Sequence, residues 1–126
     1  MLKRWIAIIL GAGAAVNGVA MLFAGRRWYD TVPDVANTGP FNPHFVADIG
    51  AAYFAAGIAL AARGWRGRYW PAAVAGSVFF LLHAGIHSYE IACGMAARPV
   101  NDVALVIAPA LIALWAALPS KGERDA

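Results

Sequence analysis

His83, His87 and Glu90 lie four and three residues apart in a stretch from Trp70 to Cys93 that is otherwise apolar. On a helix turning 100° per residue, they share one stripe about 60° wide. His44 and Asp48, one helical turn apart in the preceding apolar stretch, make a second stripe, and the two stripes hold every histidine of the chain. Ionisable side chains at membrane depth are costly and turn toward the bundle interior, where they pair, bind or carry protons. Neutral imidazole with carboxylate suits a transition-metal ion such as zinc, copper, iron or manganese. The expected ligands are His83, His87 and Asp48, with Glu90 and His44 as further ligands or as groups that orient them. An HxxxH spacing alone is common, and carboxylates at matching depth give it weight. The same groups also suit a hydrogen-bonded pair that joins helices without any ligand. A pocket for a small organic or lipid-like molecule and a proton or ion pathway remain open as well.

These stripes need spans to carry them, and the composition provides for that. The 126 residues are 61% hydrophobic and 13% charged, whereas soluble domains carry about 25% charged residues. Four apolar segments are expected as helices, about 5–24, 43–62, 71–93 and 103–118, in a single all-α transmembrane domain. A span needs about 20 residues for about 30 Å of hydrocarbon. The fourth is short and must stand upright or thin the bilayer. Asn42 before Pro43 suits an N-cap with proline at the first helical position, and Pro71 plays the same role. Gly94 can close the third helix in the left-handed conformation. Asp102 is expected to cap the fourth helix, Pro119 to stop it and Pro109 to kink it.

Lys3, Arg4, Arg63, Arg66, Arg68, Lys121 and Arg124 fall at one end of such a bundle, and Arg26, Arg27 and Arg98 at the other. The positive-inside rule then puts both termini in the cytoplasm and the 25–42 loop outside. Helix 1 also has the charged start and apolar run of a secretory signal, but the run continues through Phe23 and the charge count favours four spans. With this topology Asp48 lies about 7–8 Å inside the outer end of helix 2. His83 falls near the midplane, with His87 and Glu90 about 6 and 10 Å further out. His44 and Asp102 sit near the outer interface, and Asn17 joins His83 as the floor, bonding across helices. Helices 2 and 3 are antiparallel neighbours, so their polar stripes are expected to face each other.

Other residues read as architecture. Ala14 with Gly18, and Ala72 with Gly76, permit close helix contact. The tryptophans lie mainly at segment ends, as interfacial anchors do. Cys93 is the single cysteine, which excludes an internal disulfide and a Cys-rich metal motif. The tail from Ser120 to Ala126 is polar and expected to be mobile. No GxSxG, P-loop or dinucleotide fingerprint is present. Three histidines are too few for a His-rich di-iron site, and His83 and His87 on one helix cannot clamp a haem from opposite faces. The basic residues mark topology, not a nucleic-acid footprint.

The stretches FNPHFVADIGAAYFAAGIAL and LLHAGIHSYE, within four short spans, resemble small bacterial four-helix membrane proteins of DoxX-like size and layout. The resemblance covers most of the chain, rests on architecture and carries over no catalytic residue. Small multidrug-resistance transporters share the helix count but hold their essential glutamate in helix 1, which here has no acid. The resulting expectation is an N-in, C-in four-helix bundle of a bacterial inner membrane that binds a metal ion or small ligand at the His/Asp/Glu cluster. Lipid is its surroundings, alone, as a homo-oligomer or in a larger membrane complex. An accessory subunit of such a complex and a small proton-coupled transporter are the alternative functions.

Overall fold

The computed structural model describes residues 1–120 and 122–123, and among the described residues it is all-helical, with no strand. Four helices are long and apolar enough to cross a membrane. They are α1 (Leu2–Thr31), α2 (Pro43–Trp65), α3 (Trp70–Ala92) and α4 (Pro99–Ala117). Short 3-10 turns at Val35–Thr38 and Gly67–Tyr69 interrupt the first two connections. The side chains are sorted inside out relative to a water-soluble protein. The buried core is mostly alanine, with Leu60 and Phe80, while Trp5, Ile9, Phe23, Leu82, Ile86 and Leu111 face outward. Lipid offers helices no hydrophobic drive to associate, so small residues collect where backbones meet and large apolar ones face the acyl chains.

The closest approach is between α1 and α2. A Cβ on Gly57 would lie 2.5 Å from the Ala15 nitrogen and 2.6 Å from the Gly11 carbonyl. One on Gly18 would lie 2.5 Å from the Gly50 carbonyl and 2.6 Å from the Phe54 nitrogen. Gly11 and Gly18 on α1, and Gly50, Gly57 and Gly64 on α2, each repeat every seven residues. A seven-residue repeat keeps one seam in register along two supercoiling helices. On the other side of α2, Gly76 of α3 packs against the Ala56 carbonyl and Ala59 Cβ.

Helix ends follow local chemistry. The Phe45 N–H donates to Asn42 Oδ1 at 3.1 Å, with Pro43 at the first helical position, as the sequence suggests. Gly94, at φ 70°, closes α3, with Gly94 N–H bonded to the Ile91 carbonyl and Met95 N–H to that of Glu90, a Schellman close.

Two expected boundaries are corrected. Helix 1 does not end at Ala24. It kinks there (φ −135°, ψ 34°) and runs on to Thr31. The Arg26–Asp30 pair at 2.8 Å supports the extra turns, and Trp28 Nε1 donates to Asn17 Oδ1 at 2.8 Å across the bend. Asn17 therefore ties α1 to itself instead of flooring a site between helices. Helix 4 starts at Pro99, so Asp102 is inside its first turn and is not its cap. With 19 residues the span is no longer short. Its strain is local: Val103–Ile107 is a π turn, with the Ala108 N–H bonded to the Val103 carbonyl. The Pro109 ring crowds the carbonyl four residues back, and widening the turn relieves that clash.

Gly57→Ala should lower stability in detergent by about 1–3 kcal/mol, because backbone, not a side chain, fills the space. Gly13 has open space around it, so Gly13→Ala should be neutral or slightly stabilising, and thermal unfolding of the two variants side by side reads the difference.

Candidate functional site

Close packing of α2 against α1 and α3 decides which polar groups meet. Gly76 opposite Ala56 and Ala59 sets the antiparallel register. Seven residues on from Gly76 is His83, and seven back from Ala56 and Ala59 are Ile49 and Ala52. Tyr53 accordingly meets His83 edge-on at 5.8 Å, and Phe79 stacks on the same imidazole at 6.3 Å. His87 is one turn beyond, its ring 4.8 Å from that of His83. The expected histidine stripe of α3 thus exists and lines an aromatic wall.

His87 is the centre of the polar cluster. Its Nδ1 lies 2.9 Å from Asp102 Oδ1 and 3.9 Å from Glu90 Oε2. His87 and Asp102 are 20% and 15% exposed in their side chains. Facing an ionised carboxylate, which only accepts, Nδ1 can serve only as the donor, and in the neutral tautomer that leaves Nε2 with its lone pair. The neighbouring residue reaches the other way. Asn101 Nδ2 donates to Asp34 Oδ2 at 2.8 Å, and Arg98 Nε lies 3.4 Å from Asp34 Oδ1. Asp34 is in the left-handed region at φ 67°, which aspartate tolerates better than most residues. The first turn of α4 therefore joins the α1–α2 connection to α3.

The five residues expected to share a ligand divide into two groups. His83, His87 and Glu90 lie together. His44 and Asp48 make their own pair at 3.4 Å, with side chains 89% and 63% exposed. Neither is within ion-pair distance of a described group on α3. At 100° per residue Asp48 lies about 160° round α2 from Gly50 but only about 20° from Ala59, the contact of Gly76, so it shares the α3-facing side of α2 and is nevertheless exposed. Among the described residues, no three His, Cys, Asp or Glu side chains are placed to hold one metal ion. Asp102, expected to cap a helix, is the carboxylate bonded to His87, where Asp48 was expected as a fellow metal ligand.

A second polar centre, at the opposite end, was not expected from sequence. Arg63 is fully buried, with Nη2 2.6 Å from Glu123 Oε2 and Nη1 donating to the Ala116 carbonyl near the end of α4. Read only as a topology charge, it in fact continues the buried stripe of Ala56 and Leu60 at spacings of seven and three. That continuation was the available signal. Part of the tail is docked with it: the Ser120 N–H donates to Glu123 Oε2 at 2.6 Å. Lys121 and Arg124, counted for topology, lie outside the described residues.

No family model, curated protein or solved structure matches this chain.

The Ser120 N–H, and with it the charge of Arg63, holds the Glu123 carboxyl below its ordinary 4.5, against the opposing effect of partial burial. A depressed folded value means that this stabilisation is complete above the ordinary value and lost as pH falls through the folded one. Glu123→Gln should therefore be less stable than the parent at neutral pH, and the gap should close on acidification, as read by unfolding midpoints across pH.

Proposed function

We propose that this integral membrane protein binds a metal ion or similarly small ligand at the His83–His87 pair, at the end of the bundle that carries the 32–42 and 93–98 connections. The observation behind this reading is the 2.9 Å bond from His87 Nδ1 to Asp102. A carboxylate on one ring nitrogen fixes the tautomer and aims the other nitrogen as a donor, which is how histidine ligands are commonly held. His83, one turn away, supplies a second imidazole, and Glu90 is near enough to balance charge. The protein would then supply two nitrogen ligands, with water or a bound molecule completing the coordination sphere. A small ion also suits packing in which Tyr53, Phe79 and Phe80 already touch one another and leave little space.

The surface supports a second reading, of an accessory subunit. His44 and Asp48 present an exposed ionisable pair on a span, and such groups normally find cover. In that case the His87–Asp102 bond only joins α3 to α4.

Elemental analysis of the detergent-purified protein beside a His83→Ala/His87→Ala variant separates the two readings. Near-stoichiometric metal in the parent, lost in the variant, supports the site. No metal in either, even after incubation with zinc, copper, iron or manganese, leaves the subunit reading.

The orientation we infer puts both termini in the cytoplasm, of a bacterial inner membrane given the alanine-rich composition. Lys3, Arg4, Arg63, Arg66 and Arg68 gather at one end, where Arg4 bonds the Gly64 and Trp65 carbonyls and Lys3 that of Leu118. Cys93, exposed at the other end, reports on this directly. A membrane-impermeant maleimide should label it in cells with an intact inner membrane and a permeable outer one, and labelling only after lysis would reverse the orientation.

A further inference from the structure

The buried Arg63 side chain is better equipped than its present contacts require. Its Nη2 holds Glu123 and its Nη1 holds the Ala116 carbonyl, but Nε is buried with no hydrogen-bond partner among the described residues. Glu123 brings a single oxygen, Oε2, to both Arg63 and the Ser120 N–H. The floor is Gly67, where a Cβ would lie 2.6 Å from Glu123 Oε1, so the glycine leaves room for an oxyanion. A guanidinium has a fork of five donors that matches the several oxygens of a phosphate, and a carboxylate bound through one oxygen leaves part of it unused.

The surroundings favour the same chemistry. Arg66 and Arg68 lie over the rings of Trp65 and Tyr69 at 5.3 and 5.2 Å. Lys3 and Arg4 spend donors on backbone carbonyls of the same end. A potential of one sign over this end raises the local concentration of anions. Glu123 answers it from a short tail, 22% exposed in its side chain and held by one turn from Ser120.

We infer that Arg63 is the centre of an oxyanion-binding site that Glu123 occupies from within the chain, and that a phosphate group, free or on an anionic lipid headgroup, binds there when the tail withdraws. The site is independent of the histidine cluster at the other end. The tail carboxylate acts as a tethered competitor, so anion binding and tail release are one event.

The test uses the full chain carrying Glu123→Gln, which removes the competitor's charge, with Glu123→Gln/Arg63→Lys as control. Inorganic phosphate is titrated in detergent, and phosphatidylglycerol is compared with phosphatidylcholine in nanodiscs, with the thermal unfolding midpoint as readout. Phosphate should raise the midpoint of Glu123→Gln but not of the control, and the parent should need roughly tenfold more phosphate because the tethered carboxylate must first be displaced. Adding Arg66→Gln and Arg68→Gln should leave the free-phosphate response in place. Stabilisation by phosphatidylglycerol alone identifies the headgroup as ligand, and stabilisation by both marks a general phosphate site. If neither anion stabilises Glu123→Gln beyond the control, the site does not exist and Arg63 with Glu123 is only a clasp. Should Glu123→Gln not fold, the parent is titrated against Arg63→Lys, and equal phosphate responses in those two overturn the inference.

Discussion

Backbone contact between α1 and α2 is the constraint on which the rest of this structure depends. Where Gly11, Gly18, Gly50 and Gly57 meet, no side chain separates the two helices. Dispersion and weak Cα–H to carbonyl contacts then act at short range over the whole seam. In a bilayer this is a main source of helix association, since burying apolar surface gains little there. That seam commits one face of α2 to α1, and Ala56, Ala59 and Gly76 commit the next to α3. Asp48 lies about 20° from Ala59 at 100° per residue, yet it and His44 are exposed near the start of α2. The aromatic wall around His83 follows from the same packing of α3 on α2.

Charge is then divided between the two ends. At one end, adjacent residues of α4 serve different neighbours, Asn101 joining Asp34 and Asp102 joining His87. At the other, Arg63 joins α2 to the end of α4 and to the tail. Removing one partner from such a pair leaves an uncompensated polar group in a poorly solvated place, which costs more than the bond itself contributes. Loss of Asp102 would therefore be felt first at His87, and loss of Glu123 at Arg63.

Much of this was legible in the sequence. The number of helices, the Asn42–Pro43 start, the Gly94 close and the His83–His87–Glu90 stripe all follow from composition, periodicity and capping chemistry. What failed was contact. His44 and Asp48 were expected to meet the stripe of α3, and Asp48 does share the side of α2 that carries Ala59, but a shared angle does not by itself bring a side chain to the next helix, and both remain exposed. Helix ends inside polar sequence were also hidden. Arg26 and Asp30 extend α1 past its apolar run, and Pro99 starts α4 ahead of Asp102. Arg63 looked like a surface charge because composition does not say which way a terminal arginine points.

The π turn at Val103–Ile107 has a consequence for how this helix tolerates change in length. Such a turn holds one residue more than the α turn it replaces. The widened turn absorbs that residue, so the helix on either side keeps its phase. Ala110, Ala113, Ala116 and Ala117 keep the later part of α4 in the core, so they fix the rotation from which Asp102 is counted back. Deleting one residue between 103 and 107 would convert the π turn to an α turn and leave Asp102 near its present angle, whereas the same deletion in the regular helix after Pro109 would swing it by about 100°. A lineage could shed the extra residue from this one turn and still keep the carboxylate at His87.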